Sequence, residues 1–313
     1  MRSLLLPLLT TILTAQQLDP RLWQDLRWRC IGPFRAGRTV GAVGVPQQPG
    51  TFYIGVNNGG VWKTTDYGRT WKPVFDDQPT GSIGDIAIAP SNPNIIYAGS
   101  GEGLQRPDLS TGDGIYKSTD GGRTWKNMGL RDAQQIGSLA VDPNDPNRVY
   151  VAALGHPYGP NTERGVYRST NGGETWERVL YKDENTGAIQ VEIDPSNPRV
   201  IYADLWAARQ GPWENGAWQG PESGLYKSTD GGATWRKLTK GLPTFEQGLG
   251  RIGFGIARSN SNIIYATVDA NPQQAGIYRS NDAGENWTRV SGDARTWGRG
   301  SDFAEIRPHT KNP

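Results

Sequence analysis

The chain has 313 residues, 35% of them hydrophobic and 20% charged, and its formal net charge is +2. This small charge, without a long basic run, argues against a nucleic-acid-binding protein. The single cysteine, Cys30, excludes an internal disulfide framework and a cysteine-based zinc cluster, and two histidines argue against a multi-histidine site. We expect neither a metal nor a cofactor. The 42 Gly and 22 Pro indicate many turns, and 12 Trp with 12 Tyr exclude a disordered chain.

The N-terminus has the pattern of a secretory signal peptide. A positive start at Arg2 precedes an apolar stretch from Leu4 to Leu13, and Ala15 is a small residue suited to cleavage. The stretch is too short to span a bilayer, and no later one is long enough. We expect residues 1–15 to be the signal peptide, residues 16–37 to be a lead-in segment, and the mature protein to be secreted or periplasmic.

A twelve-residue motif recurs five times with a period of roughly 50 residues. Each copy begins with Gly, ends with Trp and contains an Asp or Asn at its seventh position. The copies are Gly60–Trp71, Gly114–Trp125, Gly165–Trp176, Gly224–Trp235 and Gly276–Trp287. A second motif, of the type Ile86–Ala98, recurs in phase with the first.

Each repeat predicts four short strands. In the second unit, apolar Ile86–Ala89 precedes a Pro/Asn turn, Ile95–Ala98 follows it, and Gly114–Lys117 and Thr124–Asn127 flank the twelve-residue motif. Four strands in each unit are typical of a β-propeller blade, so we expect an all-β propeller over residues 38–313. The predicted blades are residues 38–75, 82–129, 136–181, 187–240 and 250–291.

Residues 302–313 match the first strand and turn of the second blade, Asp85–Pro93. We therefore expect about five complete blades and the start of a sixth. Such a chain is either a fragment of a longer protein or an open arc, because the last strand would otherwise leave an exposed edge.

Residues such as Ser118–Trp125 resemble the Asp-box (BNR) repeat of sialidases, family 74 xyloglucanases, sortilin-type Vps10 domains and photosystem II assembly factors. The segments Trp28–Arg38 and Gly99–Gly103 resemble the secreted bacterial BNR proteins grouped with the sortilin N-terminal domain. The resemblance covers about residues 26–313 and implies a propeller. It does not define an activity, because function depends on the site carried by a fold.

We expect the boxes to be structural. An Asp carboxylate accepts nearby backbone N–H groups in a turn, and the Trp that follows can bury its ring in the blade. A calcium-binding ring of carboxylates is the less favoured alternative, because one box carries Asn instead. The structural box residues are Asp66, Asp120, Asn171, Asp230 and Asp282, with Trp71, Trp125, Trp176, Trp235 and Trp287.

The loops between second and third strands, together with those between blades, are expected to carry the binding site, because their lengths vary widely. The longest runs from Asp204 to Ser223, and its aromatic side chains beside Arg suit stacking on sugar rings or capture of a peptide. Self-packing of the Trp rings is the alternative. The predicted binding residues are Trp206, Arg209, Trp213, Trp218, Glu102 and His156.

Catalytic signals are weak. The resemblance to family 74 enzymes implies a general base after the second strand of the first blade, but Asn57 stands there and cannot take a proton at neutral pH. A sialidase would need an early Arg-Ile-Pro element, which Phe34–Gly37 does not match. The carboxylates left for an alternative catalytic arrangement are Glu102, Asp204 and Glu246.

The sequence favours a non-catalytic secreted propeller that binds glycan or peptide through its loops. The alternatives are a xyloglucanase-type glycoside hydrolase acting on β-glucan and a scaffold for exported proteins. We expect no nucleic-acid partner and no membrane span.

Overall fold

The computed structural model describes residues 19, 38–103, 109–209, 218–297 and 304–313. The predicted signal peptide 1–15 and nearly all of the lead-in segment 16–37 lie outside these ranges. All described strands belong to one compact unit, Ala36–Pro313. Within the described ranges, we find no helix with the length and apolar character needed to cross a membrane.

Twenty strands are present in the part of the chain that the structure describes, four in each predicted blade. In chain order they are β1 Thr39–Gly44, β2 Phe52–Val56, β3 Gly60–Thr64 and β4 Lys72–Pro73 in blade 1; β5 Ile83–Ile88, β6 Ile96–Ser100, β7 Ile115–Ser118 and β8 Lys126–Asn127 in blade 2; β9 Ile136–Val141, β10 Val149–Ala153, β11 Gly165–Ser169 and β12 Glu177–Leu180 in blade 3; β13 Gly187–Ile193, β14 Ile201–Trp206, β15 Gly224–Ser228 and β16 Arg236–Lys237 in blade 4; β17 Ile252–Ile256, β18 Ile264–Val268, β19 Gly276–Ser280 and β20 Thr288–Ser291 in blade 5.

Each blade is a four-stranded antiparallel sheet in sequence order. The first strands of successive blades lie beside one another. This arrangement confirms the predicted all-β propeller with five four-stranded blades. Short 3-10 turns occur at Arg131–Ala133, Phe245–Gln247 and Ala294–Thr296.

The core lies between the blades. The second strands β6, β10 and β14 are buried along their whole length, whereas the short fourth strands β4 and β8 are largely exposed. Burial of apolar side chains, at about 25 cal/mol per Å² removed from water, therefore stabilises the stacking of blade on blade.

Neighbouring first strands approach so closely that glycine is required. A Cβ atom at Gly84 would lie 1.9 Å from the Ile136 carbonyl oxygen, and one at Gly137 would lie 2.3 Å from that of Ile189. Substitution at either glycine would force the blades apart.

At each of three successive interfaces, at least one polar side chain of a first strand accepts an N–H of the next blade. Asp85 Oδ2 accepts from Leu139 N at 2.8 Å, and Ser138 Oγ accepts from Val191 N at 2.7 Å. At the interface of blades 4 and 5, the longer Gln190 bridges to both Phe254 N (3.1 Å) and Phe254 O (2.7 Å). The strands β13 and β17 also lie further apart than the other neighbouring first strands.

The Asp-box carboxylates bond within their own turns. Asp120 Oδ1 accepts the backbone N–H groups of Arg123 and Thr124 at 2.9 Å, and its Oδ2 accepts the Thr124 hydroxyl at 2.7 Å. Asn171 accepts Thr175 N at 3.0 Å and donates its amide to the Thr175 hydroxyl at 2.9 Å. An amide therefore forms an equivalent turn, which is why Asn can occupy this position.

Residues 304–313 form no strand, so the start of a sixth blade stays a prediction. Residues 304–308 nevertheless lie against β17: a Cβ at Gly253 would be 1.5 Å from the Ala304 carbonyl oxygen, and Arg307 Nη1 lies 3.2 Å from Phe254 O.

We predict that the boxes make the fold sensitive to acid. Hydrogen bonds from the Thr70 hydroxyl, the Thr124 backbone N–H and the Asn286 side chain lower the pKa of Asp66, Asp120 and Asp282 to about 2, from an ordinary value of 3.8. Since these folded-state pKa values are depressed, the stabilisation is complete above about pH 4 and is lost as the pH falls towards 2.

Replacing Asp by Asn in the four acidic boxes should flatten this pH dependence, because Asn does not titrate. The free energy of unfolding in urea, measured at pH 7, 4 and 2.5, tests this expectation. A variant with the same acid sensitivity as the wild type would contradict it.

Candidate functional site

The loop face is defined here as the end of the propeller where second strands lead into third strands. Its described residues are 57–59, 101–103, 109–114, 154–164, 207–209, 218–223 and 269–275. The Asp boxes and the turns between first and second strands lie at the opposite end of the strands, here called the turn face. Four of the predicted binding residues, Glu102, His156, Arg209 and Trp218, belong to the loop face, and Trp206 ends the strand that leads into it.

Glu102 is fully buried in an ion pair. Both of its carboxylate oxygens contact Arg38 Nη2, at 2.9 and 3.0 Å, and Oε1 also lies 3.2 Å from Arg38 Nε. This bidentate geometry ties the start of blade 1 to the loop after β6. Its exposure of 0% leaves Glu102 without an accessible carboxylate surface for a ligand in this structure.

Asp204 lies on β14 inside the interface of blades 4 and 5. Its Oδ2 accepts from Ile252 N at 2.9 Å, its Oδ1 has no hydrogen-bond partner, and its exposure is 0%. Burial raises the pKa of Asp204 well above its ordinary value. The first and second blades have Gly55 and Gly99 at the matching position, where a side chain would collide with an isoleucine of the next blade. The wider spacing of β13 and β17 accommodates the carboxyl group.

Trp206 corrects one sequence prediction. We expected it in the long loop as an exposed ring, but it is the last residue of β14 and is fully buried, because the strand extends further than predicted. Its ring stacks on that of Trp218, with centroids 6.0 Å apart and an angle of 23°, and its Nε1 donates to Trp218 O at 2.8 Å. Trp206 therefore holds Trp218, which is partly exposed.

The other two predicted binding residues of this loop are Arg209 and Trp213. Arg209 is partly exposed and interacts with other residues. Trp213 lies outside the described residues. Neither contributes to the geometry that follows.

His156 lies in a loop organised by Arg164. The Arg164 guanidinium is fully buried and donates to the carbonyls of Leu154 (2.5 Å), His156 (2.8 Å) and Gly159 (3.1 Å). The His156 ring contacts Asp132, with Nε2 3.1 Å from Oδ1. The loop is thus fixed from inside, and the imidazole faces the 3-10 turn that connects blades 2 and 3.

Glu246 lies in the exposed 3-10 turn between blades 4 and 5. A hydrogen bond with Thr244 lowers the pKa of its carboxyl, so it is ionised at neutral pH. Of the three alternative catalytic carboxylates, two are therefore buried and one is on the surface.

The structure adds Arg251 and Asp269, which the sequence analysis missed. Arg251 is buried, lies over the Trp206 ring at 5.9 Å, and its Nη2 is 2.9 Å from Glu305 Oε1. Burial raises the pKa of Asp269 to about 6, and the charge of Arg251 opposes this rise. The oxygen Oδ2 of Asp269 and the backbone oxygen of Trp218 both lie close to Gly250. Repeat alignment could have found Asp269, because it follows Tyr265 by four residues as Asn57 follows Tyr53.

A cavity of about 260 Å³ lies at the loop-face end of the first strands. Arg251 and Glu305 line it together with Ile189, which also packs in the Trp206 cluster. We call Trp218, Arg251, Asp269 and their support Trp206 the Trp218 cluster. It combines a supported indole, a titratable carboxyl and a cation, and the cation, Arg251, also lines the cavity.

A larger cavity of about 570 Å³ lies at the turn face. Two of its charged groups contact each other or the backbone: Glu192 Oε2 lies 3.4 Å from Ile256 N and its Oε1 3.5 Å from Arg307 Nη1. Burial raises the pKa of Glu192. Prolines of three blade turns line the cavity together with the charged side chains of Glu192, Asp194, Arg258 and Arg307. Among the described residues, no group of three or more acidic, His or Cys side chains could hold a metal ion.

Comparison with known proteins gives relatives of two kinds. A family profile described as "Sortilin, neurotensin receptor 3" matches residues 59–210. The chain is 28% identical over 259 residues to a xyloglucanase of Paenibacillus sp. This alignment covers 71% of the chain and 22% of that enzyme. It is 24% identical over 269 residues to a xyloglucanase of Hypocrea jecorina, covering 75% of the chain and 29% of that enzyme.

The crystal structure of an ancestral GH74 enzyme superposes with a TM-score of 0.63 at 22% identity, over 85% of this chain and 32% of the enzyme. The chain thus spans under a third of each of these three enzymes. It is similar to sortilin-like and GH74 propellers in sequence and fold.

We predict that Asp204 has a structural role. Asp204→Asn keeps an acceptor for Ile252 N and should match or exceed the wild-type stability at pH 7. Asp204→Ala leaves that buried N–H without a partner and should cost about 1–3 kcal/mol. Because the folded-state pKa is raised, the cost of ionising Asp204 appears only as the pH rises above about 4.

Urea unfolding of both variants at pH 4 and pH 7 measures this effect, with the surface change Glu246→Gln as the control. A stability advantage of Asp204→Asn that shrinks with rising pH would refute the assignment.

Proposed function

We propose that the chain binds a β-glucan-type polysaccharide at the Trp218 cluster without cleaving it. One observation carries the proposal: Trp218 is partly exposed, while its ring and backbone are both held by the buried Trp206. A sugar ring gains most from a flat aromatic surface that is already fixed, because little side-chain entropy is lost on binding.

The polar groups beside the rings suit an orienting role. Arg251 offers N–H donors to sugar hydroxyls, and its ion pair with Glu305 fixes the guanidinium at the wall of the cavity. Asp269 offers acceptor oxygens. A few convergent polar groups around an apolar surface are typical of small-ligand sites.

The choice of a glucan over a peptide rests on the relatives. The first curated proteins that the chain resembles are named xyloglucanases, and they align over about three quarters of its length. A β-glucan is therefore the ligand class that we would test first.

Binding without cleavage is proposed because a glycosidase needs two carboxyl groups about 5–9.5 Å apart around an accessible bond. Glu102 and Asp204 are buried and already accept hydrogen bonds, and Asn57 replaces the implied base. Two carboxylates on an open cleft are therefore not available from these residues.

Hydrolysis is the second candidate, favoured by the xyloglucanase relatives and by Asp269. A half-buried carboxyl with a pKa of about 6 is suited to act as a general acid. Its partner would have to be another loop-face carboxylate, such as the exposed Glu305.

We also propose that the protein is exported. This proposal rests on the signal-peptide pattern of residues 1–15.

We predict that Trp218→Ala weakens binding of xyloglucan by about tenfold, as expected when roughly 1.4 kcal/mol of stacking is lost. Isothermal titration calorimetry with xyloglucan oligosaccharides measures the change. Tyr67→Gly is the matched control: it removes a side chain that is 71% exposed on the turn face, and Gly is the residue found in three other boxes. Equal affinity for wild type and Trp218→Ala would reject the site.

We predict no release of reducing ends from xyloglucan at pH 5 to 7. A reducing-sugar assay on the wild type and Asp269→Asn distinguishes the two candidates. Release by the wild type that is lost in Asp269→Asn would replace the binding proposal with hydrolysis.

A further inference from the structure

The turn between the first and second strands carries two prolines in each of blades 1 to 4. Blade 5 departs from this Pro-x-x-Pro pattern, because Arg258 and Ser261 stand at the two proline positions. The prolines of the other blades are Pro46 and Pro49, Pro90 and Pro93, Pro143 and Pro146, and Pro195 and Pro198.

The backbone of the blade 5 turn matches that of the other four. In each blade the residue before the first proline position donates its N–H to the carbonyl six residues later, as Ala89 does to Ile95 O and Ala257 to Ile263 O, both at 3.0 Å. Proline would therefore fit at position 258, and a proline that fits stabilises a protein by restricting the unfolded chain. A repeat position that forgoes such stabilisation is a candidate for function.

Arg258 is the available cation at the turn face of blade 5. It is exposed, and no described residue accepts a hydrogen bond from its guanidinium. It lines both the cavity of about 570 Å³ and a second cavity of about 280 Å³. Arg307, which also lines the larger cavity, is engaged with Phe254 O at 3.2 Å and with Glu192 Oε1 at 3.5 Å.

The two cavities that meet at Arg258 have different walls. The larger one is lined by aliphatic side chains of first strands, such as Leu139 and Val191, and by prolines of three turns. The smaller one is lined by hydroxyl and amide side chains, which are Ser196, Ser259, Asn260, Ser261 and Asn262. A ligand at Arg258 therefore meets an apolar surface in one cavity and hydrogen-bonding groups in the other.

The nearby acidic groups limit the charge of such a ligand. Glu192 and Asp194 both line the larger cavity, and Asp194 Oδ1 already accepts Ser196 N at 2.8 Å and the Ser196 hydroxyl at 2.7 Å. Their negative charges repel a dianion such as phosphate more strongly than a singly charged carboxylate. A guanidinium binds a carboxylate through two parallel N–H···O bonds, so a single arginine is sufficient.

We propose that Arg258 binds the carboxylate of a uronate residue in an acidic polysaccharide. The apolar face of the sugar ring packs against the proline turns, and its hydroxyls bond to the Ser and Asn side chains of the smaller cavity. A sugar suits these walls because it combines an apolar face with many hydroxyls. This site lies at the opposite end of the strands from the Trp218 cluster, so it does not depend on the function proposed above.

The variant Arg258→Pro tests the site with the residue that the other four blades carry. It should weaken binding of trigalacturonate by about tenfold in isothermal titration calorimetry, because the charge-assisted hydrogen bonds are lost. Its Tm should equal or exceed that of the wild type, so a loss of binding cannot come from unfolding. Arg69→Ala is the matched control, since it removes another exposed arginine of the turn face and should leave the affinity unchanged.

Three further measurements test the role of charge. The methyl ester of trigalacturonate, which has the same sugars without the charge, should not bind. Raising NaCl from 50 to 500 mM should weaken the binding of trigalacturonate several-fold, as expected for an exposed ion pair. Glu192→Gln should strengthen it, because a like charge is removed from the cavity wall. An affinity that is independent of salt, of esterification or of Glu192 would contradict recognition of a carboxylate.

The last comparisons separate this site from its alternatives. Arg258→Pro should leave xyloglucan binding unchanged, and Trp218→Ala should leave trigalacturonate binding unchanged, so either site can fail without the other. The peptide acetyl-Gly-Glu-Gly-amide should bind at least tenfold more weakly than trigalacturonate. Equal or tighter binding of the peptide would overturn the proposal in favour of an acidic protein partner. Failure of the wild type to bind trigalacturonate, or equal binding by Arg258→Pro, would also overturn it.

Discussion

The capture of backbone carbonyls and N–H groups by side chains of the preceding blade is the constraint on which this structure depends. Tyr53 and Lys63 converge on one carbonyl of the next blade, while Asp85 accepts an N–H nearer the channel. Separate four-stranded sheets have no backbone ladder between them, so these bonds set how closely and at what height blades pack. Buried backbone groups must find partners, and here the partners are side chains at fixed repeat positions.

The length of the polar side chain on each first strand correlates with the spacing between that blade and the next. Ser138 brings blades 3 and 4 close together, whereas Gln190 spans a wider interface between blades 4 and 5. That interface accommodates the carboxyl of Asp204, while Gly55 and Gly99 occupy the matching position where blades pack tightly. The Trp218 cluster lies at the loop-face end of the same interface. The proposed binding site therefore lies at the interface where Gln190 stands at the first-strand position that Ser138 occupies in blade 3.

The fold could be predicted because every blade repeats its strand, turn and box residues in phase. The predicted second blade, residues 82–129, differs from the observed Ile83–Asn127 by one or two residues at each end. The site was predicted less well. Trp206 was placed in a loop because aromatic clustering does not reveal where a strand ends. Glu102 and Asp204 were treated as candidate ligands or catalysts because sequence shows a carboxylate but not the Arg38 or the Ile252 N–H that it contacts.

The sequence by itself determined the number of strands in each blade, their order and the position of each Asp box, because these follow from local turn chemistry and short-range periodicity. Only the tertiary structure decided which polar side chains are buried between blades and which reach the loop face. Arg251 and Asp269 are brought together with Trp218 from three separate segments, and the pKa of Asp269 is raised to about 6 by burial that no single repeat contains. Such properties depend on how blades stack, and stacking joins residues that are roughly 50 positions apart.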